Sequence, residues 1–74
     1  MSMTMWVLYD HPRDCPDAYV AREWLFERDR VIPTESVIKA PELETLREIM
    51  LTQMGKTCLP RNPTDDPVII ESWV

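Results

Sequence analysis

The stretch YDHPRDCPDAYVAREW, residues 9–24, concentrates the residue types that most often carry chemistry. It holds His11, the only histidine of the chain, close to Asp10, Asp14 and Cys15. Imidazole, carboxylate and thiolate groups are common metal ligands, and a thiolate beside an imidazole base can act as a nucleophile. The stretch therefore raises the hypothesis of a metal site or of a thiol enzyme.

The spacing of these four residues argues against that hypothesis. Asp-His-x-x-Asp-Cys matches no standard metal-ligand spacing, and Pro12 and Pro16 stiffen the segment that carries it. One glycine in 74 residues also excludes the glycine-rich loops that hold phosphates and dinucleotides. Asp10 and Asp14 are explained more simply as turn residues whose carboxylates accept hydrogen bonds from nearby backbone amides. We therefore expect a turn here, with no catalysis, no metal ligand and no cofactor.

The same region offers side chains suited to contact with another molecule. Three tryptophans stand in the chain, and we expect Trp6, Trp24 and Trp73 to pack in the core. One of them could instead lie on an exposed sheet face beside Arg22 and act as a binding anchor. The residues that we expect at such a contact are Tyr9, His11, Arg13, Arg22 and Trp24.

The charge balance limits the classes of partner. Thirteen acidic and eight basic residues give a net charge of -5, with 7 acidic and 4 basic residues through Val37 and 6 and 4 after it. A protein without a cluster of Lys and Arg lacks the electrostatic footprint for nucleic acid or an anionic membrane. We expect no direct binding to either. Carboxylates clustered on one face could instead imitate nucleic acid, as in an acidic inhibitor of the phage type.

The first residues and the cysteines indicate the compartment. MSMTMWVLYD has neither the basic start nor the apolar run of about 7 to 15 residues that a signal peptide needs. We therefore expect a cytoplasmic protein without a membrane segment. In a reducing compartment Cys15 and Cys58 are expected to be free thiols rather than a disulfide.

Composition predicts strands in the first half of the chain. Residues 4–9, TMWVLY, are β-branched, aromatic or aliphatic and end at a proline-bracketed loop over residues 10–17. Residues 17–28 are compatible with a helix or a strand, and we favour a strand. As a strand the segment places Val20, Arg22, Trp24 and Phe26 on one side, and a hairpin with the first strand would bury Trp6 with Trp24.

The second half contains the clearest helix signal. Residues 29–35 predict a turn and residues 36–40 a short third strand. From Pro41 onward, acidic residues in the first turn and apolar residues three and four apart predict one long helix over about 41–54, which Gly55 ends. The prolines between Pro60 and Pro67 predict an extended connection to a last strand over residues 68–74, with Ile69 and Trp73 on one face and Ile70 and Ser72 on the other.

Together these elements predict a single α+β domain over residues 1–74. It has a small, mostly antiparallel sheet of three or four strands with the helix packed on one face, in the order β-β-β-α-β. If residues 17–28 were helical, the order would be β-α-β-α-β. Because a chain this short has a thin core, a partner or self-association could contribute to its stability.

The combination of YDHPRD, PDAYVAREW and LPRNPTDDPVIIESW resembles a family of small bacterial proteins of unknown activity, over nearly the whole chain. The resemblance implies a bacterial or phage origin and a compact α+β domain, and it carries over no site residue. We expect a protein-interaction or regulatory module without catalysis, which binds a protein partner or a second copy of itself. This expectation includes an exposed apolar patch and an open sheet edge. The alternatives are an enzyme that uses Asp10, His11, Asp14 and Cys15, or the acidic nucleic-acid mimic.

Overall fold

Five antiparallel strands form one sheet in the computed structural model, which describes residues 3–60 and 67–74. Across the sheet the strands lie in the order β3-β2-β1-β5-β4. In chain order the elements are β1 (Met3–Asp10), β2 (Tyr19–Glu27), β3 (Arg30–Ala40), α1 (Leu43–Glu48), a π-helical turn (Ile49–Gln53), β4 (Cys58–Leu59) and β5 (Ile69–Trp73). The predicted combination of an antiparallel sheet with one helix is confirmed, but the sheet has five strands instead of three or four.

The first three strands form a meander. β1 and β2 pair without interruption from Met3 opposite Phe26 to Asp10 opposite Tyr19. The strand predicted over residues 17–28 is confirmed, and the helical alternative is wrong, because β2 lies between β1 and β3 and pairs with both. A central strand gives β-branched and aromatic side chains neighbours on both sides, which outweighs the helix propensity of its Ala, Arg and Glu residues.

The predicted turn over residues 29–35 is wrong, because β3 already begins at Arg30 and the turn is confined to Arg28 and Asp29. Proline is tolerated at position 33 because β3 is an edge strand. The register between β2 and β3 also shifts here, from Arg22 opposite Val37 to Trp24 opposite Pro33. The third strand is therefore longer than predicted and interrupted by a bulge.

The helix is shorter than the predicted span of about 41–54. It begins at Leu43, because Glu42 is still extended, and its last five residues form the π turn. Gly55 ends it as predicted, with a φ of 59° in the left-handed region that favours glycine. No helix of the described residues is long and apolar enough to cross a membrane.

The core lies between the sheet and the helix. Leu46 and Met50 are fully buried and pack against Trp6, Leu8 and Trp73. The predicted burial of Trp6 with Trp24 is wrong. Trp6 is paired with Glu23, so the next residue along β2 points to the opposite face.

The C-terminal strands complete the sheet. Cys58 and Leu59 pair with Trp73 and Ser72, which adds a short strand just before the predicted connection. Residues 61–66 of that connection lie outside the described residues. β5 follows the predicted strand, but a bulge places Ile69 opposite Tyr9, whereas Ile70 packs against the helix-side core. The predicted faces of Ile69 and Ile70 are therefore wrong.

One carboxylate ties the helix to the sheet. Glu71 in β5 is only 7% exposed, and Arg47 of α1 donates to it from Nη2 at 2.8 Å and from Nε at 3.2 Å. The indole Nε1 of Trp73 donates to the same carboxylate at 2.7 Å. Burial alone would raise the pKa of Glu71, but the hydrogen bonds from Arg47 and Trp73 outweigh it and lower this pKa below its usual value of 4.5.

We expect Glu71→Gln to lower the free energy of unfolding by about 2 kcal/mol at neutral pH, because it weakens charge-assisted bonds to a partly exposed arginine. The contribution of Glu71 is present in full above pH 4.5, the unfolded-state pKa, and is lost as the pH falls through the lower folded-state pKa. Denaturant unfolding at several pH values should therefore show a difference between wild type and variant that shrinks in acid.

Glu44→Gln is the matched control. Its carboxylate accepts a bond from Nη1 of the same Arg47 at 2.9 Å, but its side chain is 80% exposed. We expect a loss below about 0.5 kcal/mol. Equal losses for the two variants would show that burial of Glu71 contributes nothing.

Candidate functional site

The sheet face opposite the helix carries mostly apolar side chains. Side chains alternate along a strand, and residues directly opposite each other in antiparallel strands share a face. The register therefore defines four rows on this face: Val31, Phe26 and Met3; Pro33, Trp24 and Met5; Val37, Arg22, Val7, Ser72 and Leu59; and Lys39, Val20, Tyr9 and Ile69. We call these four rows the uncovered face, since no helix or strand of the described residues packs against them.

Exposure and charge distinguish the uncovered face from the rest of the surface. Four large hydrophobic side chains are exposed among the described residues, and Met3, Val31 and Leu59 of this set lie on the uncovered face. The fourth is Leu51 in the π turn. The charged residues in the four rows are Arg22 and Lys39, both cations. In a chain of net charge -5, the four rows contain no carboxylate, and the exposed Glu35 lies beside them in the β3 bulge between Pro33 and Val37.

Two aromatic rings meet over the middle of the uncovered face. The indole Nε1 of Trp24 donates to the phenolic oxygen of Tyr9 at 3.2 Å. These residues lie two rows apart, so the bond spans the row that contains Val7. Val7 is 6% exposed and the neighbouring Val20 is 3% exposed, although both lie outside the helix-side core. We infer that the aromatic pair shields these valines from water.

A small groove lies at the end of this face where the chain leaves β1. It has a volume of about 200 Å³ and is lined by Tyr9, Pro12, Asp14, Val20 and Arg22. One wall is an ion pair, in which Arg22 Nη2 lies 3.3 Å from Asp14 Oδ2. Sites for small-molecule ligands usually measure about 300 to 1,000 Å³. The groove is therefore of a size to accept one side chain of a partner, with a cation at its rim.

Three of the five expected contact residues come together here. Tyr9, Arg22 and Trp24 lie on the uncovered face within two rows of one another. His11 and Arg13 are exposed in the loop between β1 and β2. The His11 ring lies edge-on to Tyr19, with ring centres 4.7 Å apart, and Tyr19 packs against the helix-side core. The structure thus places His11 on the side away from the other contact residues.

The sequence did not reveal the outer positions of the uncovered face, namely Met3, Val31 and Leu59. Period-two alternation in β2 was a visible signal for the central positions Val20, Arg22, Trp24 and Phe26. Val31 fell in the segment predicted as a turn, and Leu59 lay between the predicted helix and the predicted connection, where no strand was expected. A row across a sheet can be drawn only when every strand and its register are known.

The four residues of the metal or thiol hypothesis do not form one cluster. Asp10 is bonded to His11 Nδ1, whereas Asp14 pairs with Arg22. The backbone amide of Cys15 donates to the carbonyl of Pro12 at 2.9 Å. Within residues 3–60 and 67–74, no three His, Cys, Asp or Glu side chains are placed to hold a metal ion. The loop geometry gives this hypothesis no support.

The second thiol, Cys58, lies in an environment that disfavours the thiolate. Burial raises the pKa of Cys58, and the negative charge of Glu71 raises it further. Since the thiolate is the reactive form, this cysteine should be a poor nucleophile at neutral pH. Both cysteines are free thiols, as predicted.

We expect Cys58, measured in a Cys15→Ser background, to react with a disulfide reagent more slowly than glutathione does at pH 7. Glu71→Gln should increase the rate, because it removes the negative charge near the sulfur. Circular dichroism would first establish that both variants are folded. A rate equal to that of glutathione, and unchanged by Glu71→Gln, would refute this view of the thiol.

We also expect Tyr9→Phe to lower the free energy of unfolding by about 1 kcal/mol, because the half-buried indole of Trp24 loses its acceptor. Three indole resonances should be resolved by NMR, and the resonance of Trp24 alone should exchange faster with water in the variant. Trp73, which donates to Glu71, provides the internal control. Unchanged exchange at Trp24 would show that its bond to Tyr9 does not form in solution.

Comparison with known proteins leaves the function to be argued from geometry. No family model matches the chain, and searches of curated proteins and of solved structures likewise find no match. The resemblance to small bacterial proteins stays a prediction and contributes no residue to the groove. The arrangement of the uncovered face is therefore the main guide to what the protein binds.

Proposed function

We propose that this protein is a non-catalytic interaction module that binds another polypeptide through its uncovered face. The observation that carries the proposal is the concentration of apolar side chains there. Three of the four exposed large hydrophobic residues within the described part of the chain lie on the uncovered face: Met3 and Val31 flank half-buried Phe26, and Leu59 lies at the β4 edge. Monomeric proteins rarely expose a contiguous apolar patch of more than a few hundred Å² unless it contacts something.

The composition of the uncovered face resembles that of protein interfaces. Aromatic residues, methionine and arginine are enriched in interface cores, whereas acidic residues are depleted. Trp24, Tyr9 and Arg22 are adjacent here, and these three residue types dominate the energetically important positions of interfaces. Burial of this surface would remove mainly apolar area from water, at roughly 25 cal/mol per Å² before the costs of association.

The edges of the sheet are less suited to binding than its face. β3 is an edge strand, but Pro33 and the bulge that follows it interrupt its row of backbone groups. Edges protected in this way resist the addition of another strand. At the other edge, β4 has only two residues. Because neither edge offers a long regular strand, the proposal relies on side-chain packing over the face and not on strand addition.

The alternative functions have less geometric support. The groove is small, and the Asp10, His11, Asp14 and Cys15 side chains do not converge on it as a set. A nucleic-acid mimic would present clustered carboxylates, whereas the rows of the uncovered face carry Arg22 and Lys39. An interaction module therefore accounts for more of the observed surface.

Site-specific photocrosslinking would test the proposal. A benzophenone side chain at position 31, on the uncovered face, is compared with the same group at position 51 in the π turn. Val31 and Leu51 are 52% and 61% exposed, so neither replacement disturbs the core. The full-length protein is irradiated in lysate of the organism that produces it. We expect a defined polypeptide adduct from position 31 and little from position 51.

The control position makes the result specific. An adduct from position 31 that competes with unlabelled wild-type protein would support binding at the uncovered face. No adduct from position 31, or equal adducts from both positions, would overturn the proposal. The mass of the adduct also reports whether the partner is a different protein or another molecule of the same chain.

A further inference from the structure

We infer that the polypeptide covering this surface is a second copy of the chain, packed face to face to form a two-sheet sandwich. The inference rests on the proposed function and names its partner. Three features of the described residues point to it: the distribution of charge, the area of the surface and the one-sided core.

The charge distribution favours self-association through this face over any other part of the described sheet. Each copy carries a net charge of -5, so two copies repel each other when their acidic surfaces approach. The four rows of the uncovered face contain no carboxylate, and Asp14 at their margin is paired with Arg22. Contact through these rows keeps Glu23 and Glu71, which lie on the helix-side face, out of the interface, while Glu35 lies beside the rows in the β3 bulge.

A two-fold axis running across the strands would also separate the cations. Such an axis reverses the order of the rows, so the rows with Arg22 and Lys39 in one copy face the rows with Trp24 and Phe26 in the other. Arg22 then lies opposite Trp24 and Lys39 opposite Val31, so neither cation faces its own copy. A guanidinium over an aromatic ring contributes about 0.5 to 2 kcal/mol, depending on how far it is desolvated.

The area of the uncovered face is sufficient for a dimer. Three strands with about eight residues each and the five-residue β5, all about 4.8 Å apart, cover about 500 Å² in projection. Two copies therefore bury about 1,000 Å², which is the lower bound for a specific interface. The affinity of the dimer would be moderate, and the monomer would predominate at low protein concentration.

The one-sided core supplies the third argument. A sheet hides its apolar side chains by packing against another layer, and here eleven helical residues, six α and five π, cover one face, while no described helix or strand covers the other. Face-to-face sheets pack about 10 Å apart, close enough for the side chains of the two inner faces to interdigitate. A second copy would thus bury Met5, Trp24 and Phe26 in a second core.

Analytical ultracentrifugation of the purified full chain over a wide concentration range tests the inference. We expect a monomer–dimer equilibrium that ends at twice the 8.7 kDa chain mass. Val31→Lys should weaken the dimer about tenfold or more, because it places an unpaired cation in the interface. Leu51→Lys, an equivalent change on the other side of the molecule, should leave the dissociation constant unchanged. Circular dichroism would establish that both variants fold.

The outcomes separate this inference from the proposed function. A dimer that is weakened by Val31→Lys and not by Leu51→Lys supports the inference, as does a crosslinked adduct of double mass from position 31. A monomer at every concentration, or a dimer that Val31→Lys does not weaken, overturns it. If the crosslinked adduct from position 31 then has the mass of a different protein, the proposed function stands while the second copy is rejected.

Discussion

The bond between Arg47 and Glu71 connects the only helix of the described residues to the inner part of the sheet. It joins α1 to β5, 24 positions apart in the sequence, and Trp73 adds a second donor to the same carboxylate. Because the carboxylate is buried, it must keep these donors to remain charged. This requirement orients α1 over the face that carries Trp6, Leu8 and Trp73. No described helix or strand packs on the opposite face of the sheet.

That asymmetry connects the fold to the proposed function. The helix covers one face with a compact apolar core, whereas the other face relies on its own side chains, with the Trp24 and Tyr9 rings meeting above Val7. A surface of this kind is stable enough to stay folded while still exposing apolar area at Met3, Val31 and Leu59. The interrupted edge strand β3 limits uncontrolled pairing, so association through the face can remain specific.

Local sequence was a good guide wherever the determining interactions were local. β1 and β2 were predicted because β-branched and aromatic residues are frequent there. The end of the helix at Gly55 was predicted because glycine is free to adopt a positive φ. The turn over residues 29–35 was predicted from Pro33, yet proline is accommodated at a sheet edge, and only the topology places β3 there. The long helix was predicted from apolar spacing, but the chain ends it in a π turn at Ile49–Gln53.

The sequence by itself determined the class of the fold, the positions of its two central strands and the acidic balance that disfavours nucleic acid, because composition and short-range periodicity carry that information. It also suggested Tyr9, Arg22 and Trp24 as candidates for contact with a partner, and this stays a prediction. Only the tertiary structure decided that Trp24 and Trp6 lie on different faces of the sheet, that Glu71 meets Arg47, and that Met3, Val31 and Leu59 share a surface with Trp24. Strand register and the choice of the covered face depend on pairings between distant residues, and a shift of one position moves every side chain of a strand to the other face.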